Sequence, residues 1–322
     1  MADKNYLFGV AVVRANETAL LKENDLEQLI NAPDYKKAVG ILCDKGYDEP
    51  EGNNYSKMLD KQLEKTWELI HKNAPDAEEL NALIVKNDFQ NLKATLKSEV
   101  TDNKTEDFIA SPSIIEPAFL EKCVKKRRFD LLPEFIRKTA KEAFELIIQS
   151  GNGQLCDIIT DKAALEAMIK FTENGADDIL KEYANIFCLS ANIKIAYRSA
   201  KTGKSQSFLN SALAECPLIS KKELIDAALS GMDSLLDYLS ANGFAEYRQS
   251  LEKGTSTFEK YCDDKLLRTV KKAKLTSFGT GPLAAFYVAK ETEIKALRII
   301  LSAKLNSISG DTVRERVREM YV

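Results

Sequence analysis

Thr202-Gly203-Lys204-Ser205 ends the way a phosphate-binding loop ends, with a glycine, a lysine and a hydroxyl residue in the order that cradles a nucleotide. Such a loop also needs a glycine five residues ahead of Gly203, where the backbone curls round phosphate oxygens, and position 198 is Arg. The segment follows a helical pattern where the motif requires a strand, so a solvated loop is the expectation. The one histidine, His71, lies four residues after Trp67 on an amphipathic helix. With no second histidine, nearby cysteine or serine nucleophile, it reads as a packed or half-exposed structural residue. Cys43, Cys123, Cys156, Cys188, Cys216 and Cys262 are far apart, with no Cys-x-x-Cys pair. That excludes the usual zinc arrangements, argues against a disulfide framework, and leaves reduced core thiols. No cofactor, metal or catalytic residue is expected.

The basic residues are the more informative chemistry. Lys125-Lys-Arg-Arg128 suits either a nucleic-acid or acidic-protein contact or a solvated helix end near the negative dipole terminus. Near the C-terminus, Arg314, Arg316 and Arg318 follow Asp311. If the helix carrying Val313, Val317 and Tyr321 runs through them, Arg314 and Arg318 share a face as like charges. Glu315 and Glu319, or a partner's carboxylates, would then offset the repulsion. Asp60-Lys61, Asp161-Lys162 and Asp264-Lys265 read as surface pairs, since neighbours on a helix point about 100° apart.

These residues sit on a repeating framework. Asn91-Leu-Lys-Ala-Thr-Leu-Lys97, Asn192-Ile-Lys-Ile-Ala-Tyr-Arg198 and Glu293-Ile-Lys-Ala-Leu-Arg298 share apolar and basic positions. Lys93, Lys194 and Lys295 fall 101 residues apart, and the Asp-Lys pairs keep spacings of 101 and 103. Two marks with one period predict three copies of a helical unit, at 1–112, 113–217 and 218–322, related by approximate threefold symmetry, with the N-terminal helix packing against the third unit. Leu42-Cys-Asp-Lys-Gly-Tyr47 echoes Leu239-Ser-Ala-Asn-Gly-Phe244, and Ile219-Ser-Lys-Lys-Glu-Leu224 echoes Ile308-Ser-Gly-Asp-Thr-Val313.

Helical spacing recurs along the chain. Leu283, Phe286, Tyr287, Ile294, Leu297, Leu301 and Leu305 predict a long amphipathic helix that Pro282 opens. Helix ends are expected at Asn31-Ala-Pro33, at Asn73-Ala-Pro75, at Gly151-Asn-Gly153, at Asn174-Gly175 and at Asn306–Gly310, and Thr101–Ser113 reads as a linker. No hairpin or strand-helix-strand rhythm occurs, and the fold class is all-α.

The 322 residues are 44% hydrophobic and 30% charged, ordinary for a globular chain with a sizeable core. A net charge of −3 argues against nucleic-acid binding as the main task. No apolar run reaches a membrane span, and Met1–Asn5 lacks the pattern of a signal peptide, so a cytoplasmic location is expected.

Lys290-Glu291-x-Glu293-Ile294-x-x-Leu297-Arg298, then Arg314-x-x-x-Arg318-x-x-Tyr321-Val322, with Tyr6, Arg14-Ala15-x-Glu17 and Leu20-Leu21 at the start, carry a resemblance over essentially the whole chain. The chain resembles the C subunit of bacterial and archaeal V-type (A/V-type) ATPases, a family whose eukaryotic vacuolar ATPase member is called the d subunit. The resemblance implies a funnel-shaped, all-helical, non-catalytic socket on the cytoplasmic face of the membrane. Its partners would be the rotor ring of proteolipid subunits and the central shaft of the D and F subunits, with no nucleic acid and no small-molecule substrate. Torque would pass through it between ATP hydrolysis or synthesis and proton or sodium transport. Arg298, Arg314, Arg318, Lys93, Lys194 and Lys295 are then the candidate shaft or ring contacts. Ser307 departs from the glycine expected before Ile308. The rival reading is a helical repeat scaffold that binds protein or nucleic acid through its basic segments.

Overall fold

A computed structural model describes residues 6–99, 108–151, 153–173 and 176–322. Among the described residues every regular element is a helix, and the sole bridge-like pairing joins Cys216 to Ile219. The expected end at Asn174-Gly175, Asn152 of the Gly151–Gly153 break, Thr101–Asp107 of the expected linker and the first five residues lie outside the described residues.

The chain packs as two compact units. One comprises Met1–Ala77, Asp177–Tyr183 and Gln249–Val322. It contains α1 (Leu7–Glu17), α2 (Glu23–Asn31), α3 (Tyr35–Asp44) and α4 (Tyr55–Asn73) from the N-terminal part. The C-terminal part supplies α14 (Thr255–Lys271), α15 (Gly281–Leu305) and α16 (Gly310–Arg316). α15 is the axis of this unit, packed by α1, α3, α4 and α14. Its apolar residues were expected to form one stripe, but burial extends round most of the helix, from Gly281 through Ala289 and on to Ala303. The N-terminal and C-terminal segments cover different sides of it, which a single-face pattern does not anticipate.

The other unit comprises Glu78–Ala176 and Ala184–Arg248. It holds α5 (Val85–Ser98), α6 (Pro117–Lys125), α7 (Glu134–Ser150), α8 (Gly153–Glu173), most of α9 (Asp178–Thr202), α10 (Gln206–Ala212), α11 (Lys221–Leu229) and α12 (Met232–Ala241). α13 (Ala245–Glu252) begins in this unit. Here α8 packs against α5, α7 and α10.

The echoed sequences close and open helices identically. Tyr47 donates its backbone N–H to Leu42 at 3.1 Å and Phe244 donates to Leu239 at 2.8 Å, each beyond a glycine of positive φ. Ser220 and Ser309 each cap the next helix, accepting from the N–H of Glu223 and Thr312 at 3.4 Å. Ser307 lies at φ 54, and Ile308 donates back to Ala303 at 2.9 Å. That left-handed position after a helix is where glycine fits without strain, which explains why serine is a departure there.

The last helix is shorter than expected. α16 ends at Arg316, and Val317 is already extended at ψ 143. Arg314 and Arg318 therefore do not share a helix face. Two acids of α14 draw the chain away: Asp263 accepts from the Arg318 guanidinium at 2.9 Å and Asp264 from the Glu319 N–H at 2.9 Å.

Candidate functional site

The repeat marks open with a buried polar residue, and each one grips backbone. Asn91 on α5 donates to the Ala110 carbonyl at 3.0 Å and accepts its N–H at 2.7 Å. Asn192 on α9 does the same to Ala214, at 2.9 and 3.1 Å. Glu293 on α15 accepts the Leu21 N–H at 2.7 Å. The three positions are 101 residues apart and at most 1% exposed. An amide can both give and take a backbone bond, whereas a carboxylate only accepts. Glu293 accordingly fills its remaining capacity with the Tyr47 hydroxyl and the Lys290 ammonium. Burial, followed by the Glu293 charge, pushes the Tyr47 phenol far above its ordinary value, so it stays a donor.

This network takes in Lys290 and Glu293 of the C-terminal sequence motif, and bonds of the same kind surround it. Lys304 donates to the carbonyls of Ile30, at 2.6 Å, and Ala32, closing the end of α2. Arg14 pairs with Glu17 at 2.6 Å and donates to the carbonyls of Ala273 and Thr276. In the sequence Lys290 and Glu293 are only motif letters. Their charge hides their burial, because a polar residue in a helical pattern reads as surface.

The six candidate contact residues divide between the two units. Arg298 on α15 donates to Ser56 at 2.7 Å and pairs with Asp60. Arg314 grips Glu27 with two nitrogens at 3.0–3.2 Å and also reaches Asp311 and Asn31. Arg318 and Lys295 share Asp263, at 2.9 and 3.0 Å. Burial works to raise the Asp263 pKa, but Lys295 and then Arg318 overcome it and hold the carboxyl below the usual range. Burial likewise opposes the charge on Lys295, while Glu291 and Asp263 push its pKa above the ordinary value. Lys93 on α5 pairs with Asp161 of α8 at 2.6 Å, and Lys194 is a half-buried residue of α9. The structure thus gathers Lys295, Arg298, Arg314 and Arg318 into one unit and places Lys93 and Lys194 in the other.

Two expectations about the acidic residues are corrected. Glu315 and Glu319 do not neutralise Arg314 and Arg318; Glu319 pairs with Arg268, and the arginines take Glu27, Asp311 and Asp263. Nor are the repeated aspartates all surface residues. Asp60 and Asp161 are partly exposed partners of Arg298 and Lys93, but Asp264 is buried, because the loop after α16 folds over it.

The remaining motifs have structural explanations. Gly203, at φ 62, ends α9; Lys204 donates its N–H to Ser199 and lies over the Phe208 ring at 5.2 Å, and Ser205 caps α10. The phosphate-loop letters are one helix end followed by one helix start. His71 is exposed and stacks on Trp67, which meets Tyr287 edge-on at 5.5 Å. In the basic run, Lys125 pairs with Glu121 and Arg128 with Asp130, while Arg127 lies over Phe144. Among the described residues no three His, Cys, Asp or Glu side chains gather to hold a metal, and no helix is long and apolar enough to cross a membrane. The charged groups described above hold backbone and one another.

A mainly apolar groove of about 360 Å³ runs beside Arg298, lined also by Tyr55, Ile299, Ile308, Val313 and Arg316. Two arginines of this unit border open space there.

Comparison with known proteins agrees over nearly the whole length. The family model described as "ATP synthase (C/AC39) subunit" matches residues 9–316. The C subunit of the V-type sodium ATPase of Enterococcus hirae is 24% identical over 319 residues, covering 96% of this chain and 97% of that one. The C subunit of the A-type ATP synthase of Methanocaldococcus jannaschii is 24% identical over 343 residues, covering 96% and 85%. The protein of the same description from Methanobrevibacter smithii is 24% identical over 329 residues, covering 93% and 84%.

Proposed function

Because this chain belongs to the ATP synthase (C/AC39) subunit family, we propose that it is the non-catalytic socket of a rotary V-type ATPase, a peripheral subunit at the cytoplasmic face of the membrane complex. In this reading it seats the central shaft of the D and F subunits on the membrane rotor ring. It passes torque between ATP hydrolysis or synthesis and proton or sodium transport. The observation that carries the reading is the family match from residue 9 to residue 316, with near-complete mutual coverage of the Enterococcus hirae protein.

The network around α15 supports it. A joint that transmits force needs its segments tied by directional bonds, and Glu293, Lys304 and Arg14 tie residues far apart in sequence within one packed unit. Arg298, Arg314 and Arg318 brace the seat. Arg298 and Arg314 keep more than a third of their side-chain surface accessible beside their internal partners, whereas Arg318 keeps 12%. Guanidinium forks hold carboxylates in paired bonds, the geometry that resists sliding. Lys93, Lys194 and Lys295 mark the corresponding position of three related helical units and are the further candidate contacts.

Rebuilding the rotary complex with and without this chain tests the assignment. Without it, ATP hydrolysis should proceed with ion transport lost, and adding the chain should restore coupling; full transport in its absence refutes the socket. The arginine assignment is tested separately by Arg298→Ala, Arg314→Ala and Arg318→Ala, singly and together. A triple variant that keeps the parent's unfolding midpoint yet binds the shaft and transports like the parent moves the seat elsewhere.

A further inference from the structure

Cys188 and Cys216 play no part in the proposed coupling, and their arrangement is unlike that of the other four cysteines. Cys188 is fully buried in α9, and Cys216 lies in the segment ahead of α11, half-buried, in the same small apolar cluster. Each thiol donates into the other's segment: Cys188 to the Glu215 carbonyl at 3.6 Å and Cys216 to the Asn185 carbonyl at 3.7 Å. Asn192 binds Ala214 in both directions and touches the Cys188 sulfur at 3.8 Å, so the two segments are held side by side without a covalent link. On its open side Cys216 borders a cavity of about 760 Å³.

We propose that Cys216 is a hydroperoxide-reactive thiol and Cys188 its resolving partner, so that oxidation converts the pair into a reversible internal disulfide. Access sets the order, because the cavity reaches Cys216 while Cys188 is sealed behind it. The Cys216 thiolate attacks one peroxide oxygen, the O–O bond breaks and hydroxide leaves, giving a sulfenic acid. Cys188 then attacks that sulfur; the S–S bond forms, and its proton departs with the hydroxyl as water. Two electrons pass from the dithiol to the peroxide. The chemistry is favoured electrostatically as well. The neighbouring Cys188 thiol lowers the Cys216 pKa; burial opposes this, and the N–H groups of Leu218 and Ile219 reinforce it. Cys43, equally half-buried, is instead pushed up by burial and by nearby carboxylates.

The test uses the full-length protein and hydrogen peroxide. Non-reducing peptide mapping should show one cross-linked pair, Cys188 with Cys216, that dithiothreitol reverses. Alkylation by iodoacetamide at pH 7 should modify Cys216 roughly tenfold faster than Cys43. Cys216→Ser should abolish the cross-link, and Cys188→Ala should leave Cys216 as a sulfenic acid that dimedone captures. Oxidation that begins at Cys43, a cross-link between other cysteines, or alkylation of Cys216 no faster than Cys43 overturns the proposal. If Cys188→Ala does not fold, the wild-type peptide map decides alone.

Discussion

Replacing Glu293 is the sharpest perturbation of the network around α15. Its carboxylate is wholly buried and takes three donors: the Leu21 N–H at 2.7 Å, the Tyr47 hydroxyl and the Lys290 ammonium. Gln keeps the size but loses the charge and turns an NH2 group toward donors, so at least one donor is left without an acceptor. Lys290, with only 10% of its side chain accessible, is then a nearly buried charge without its counter-ion. Breaking a buried pair from one side costs about 3–5 kcal/mol. For a folded unit of this size that is a fall in melting temperature of roughly 6–20 °C. Trp67, the one tryptophan, lies in the same unit against Tyr287, so its fluorescence during urea unfolding reports on that unit. In a Lys290→Met background, where no ammonium is stranded, Glu293→Gln should cost less by about 1–3 kcal/mol. A Glu293→Gln loss below about 0.5 kcal/mol, or a cycle with no coupling, would refute a carboxylate that holds the unit together.

Four further outcomes are expected. Asn91→Ala and Asn192→Ala each orphan a backbone N–H and carbonyl, so each should lower stability by about 2–4 kcal/mol; an effect near zero at either position removes the equivalence of the two clamps. Ser307→Gly relieves a left-handed serine and should raise stability by about 0.5–1 kcal/mol, read from the urea midpoint at unchanged slope. Burial, opposed by the N–H groups of Ile115 and Ile114, raises the Asp88 pKa from 3.8 to about 6, so the folded state holds a proton the unfolded chain has released. Stability should therefore fall as pH rises from about 4 to 6, by up to roughly 3 kcal/mol, then level off; a carboxyl carbon titrating below pH 4 by NMR contradicts this. Calorimetry should detect no ATP binding, and micromolar binding lost in Lys204→Ala would show that the helix-end account of Thr202–Ser205 is wrong.

The local features of this protein were written in its sequence because they depend on residues a few positions apart. Pro282 opening α15, Gly46 and Gly243 ending helices, and Ser220 and Ser309 starting them are short-range matters of φ and of capping, legible from residue type and spacing. The family resemblance at the C-terminal motif was legible too, and the 101-residue spacing of Asn91, Asn192 and Glu293 is itself a feature of the sequence. What each repeated position does was not. Asn91, Asn192 and Glu293 are polar letters in helical patterns, and polarity alone points outward; only packing shows that each is sealed against a particular backbone segment. Glu293 meets Leu21 across 272 residues, and no local spacing encodes that partner. The end of α16 was decided at the same distance: its pattern would continue through Arg318, but the carboxylates of Asp263 and Asp264 capture Arg318 and the Glu319 N–H, and those tertiary bonds outweigh helix propensity, which differs by only tenths of a kcal/mol per residue. Cys188 and Cys216 likewise looked isolated along the chain. They became a pair only when α9 and the segment ahead of α11 were brought together by the Asn192 clamp.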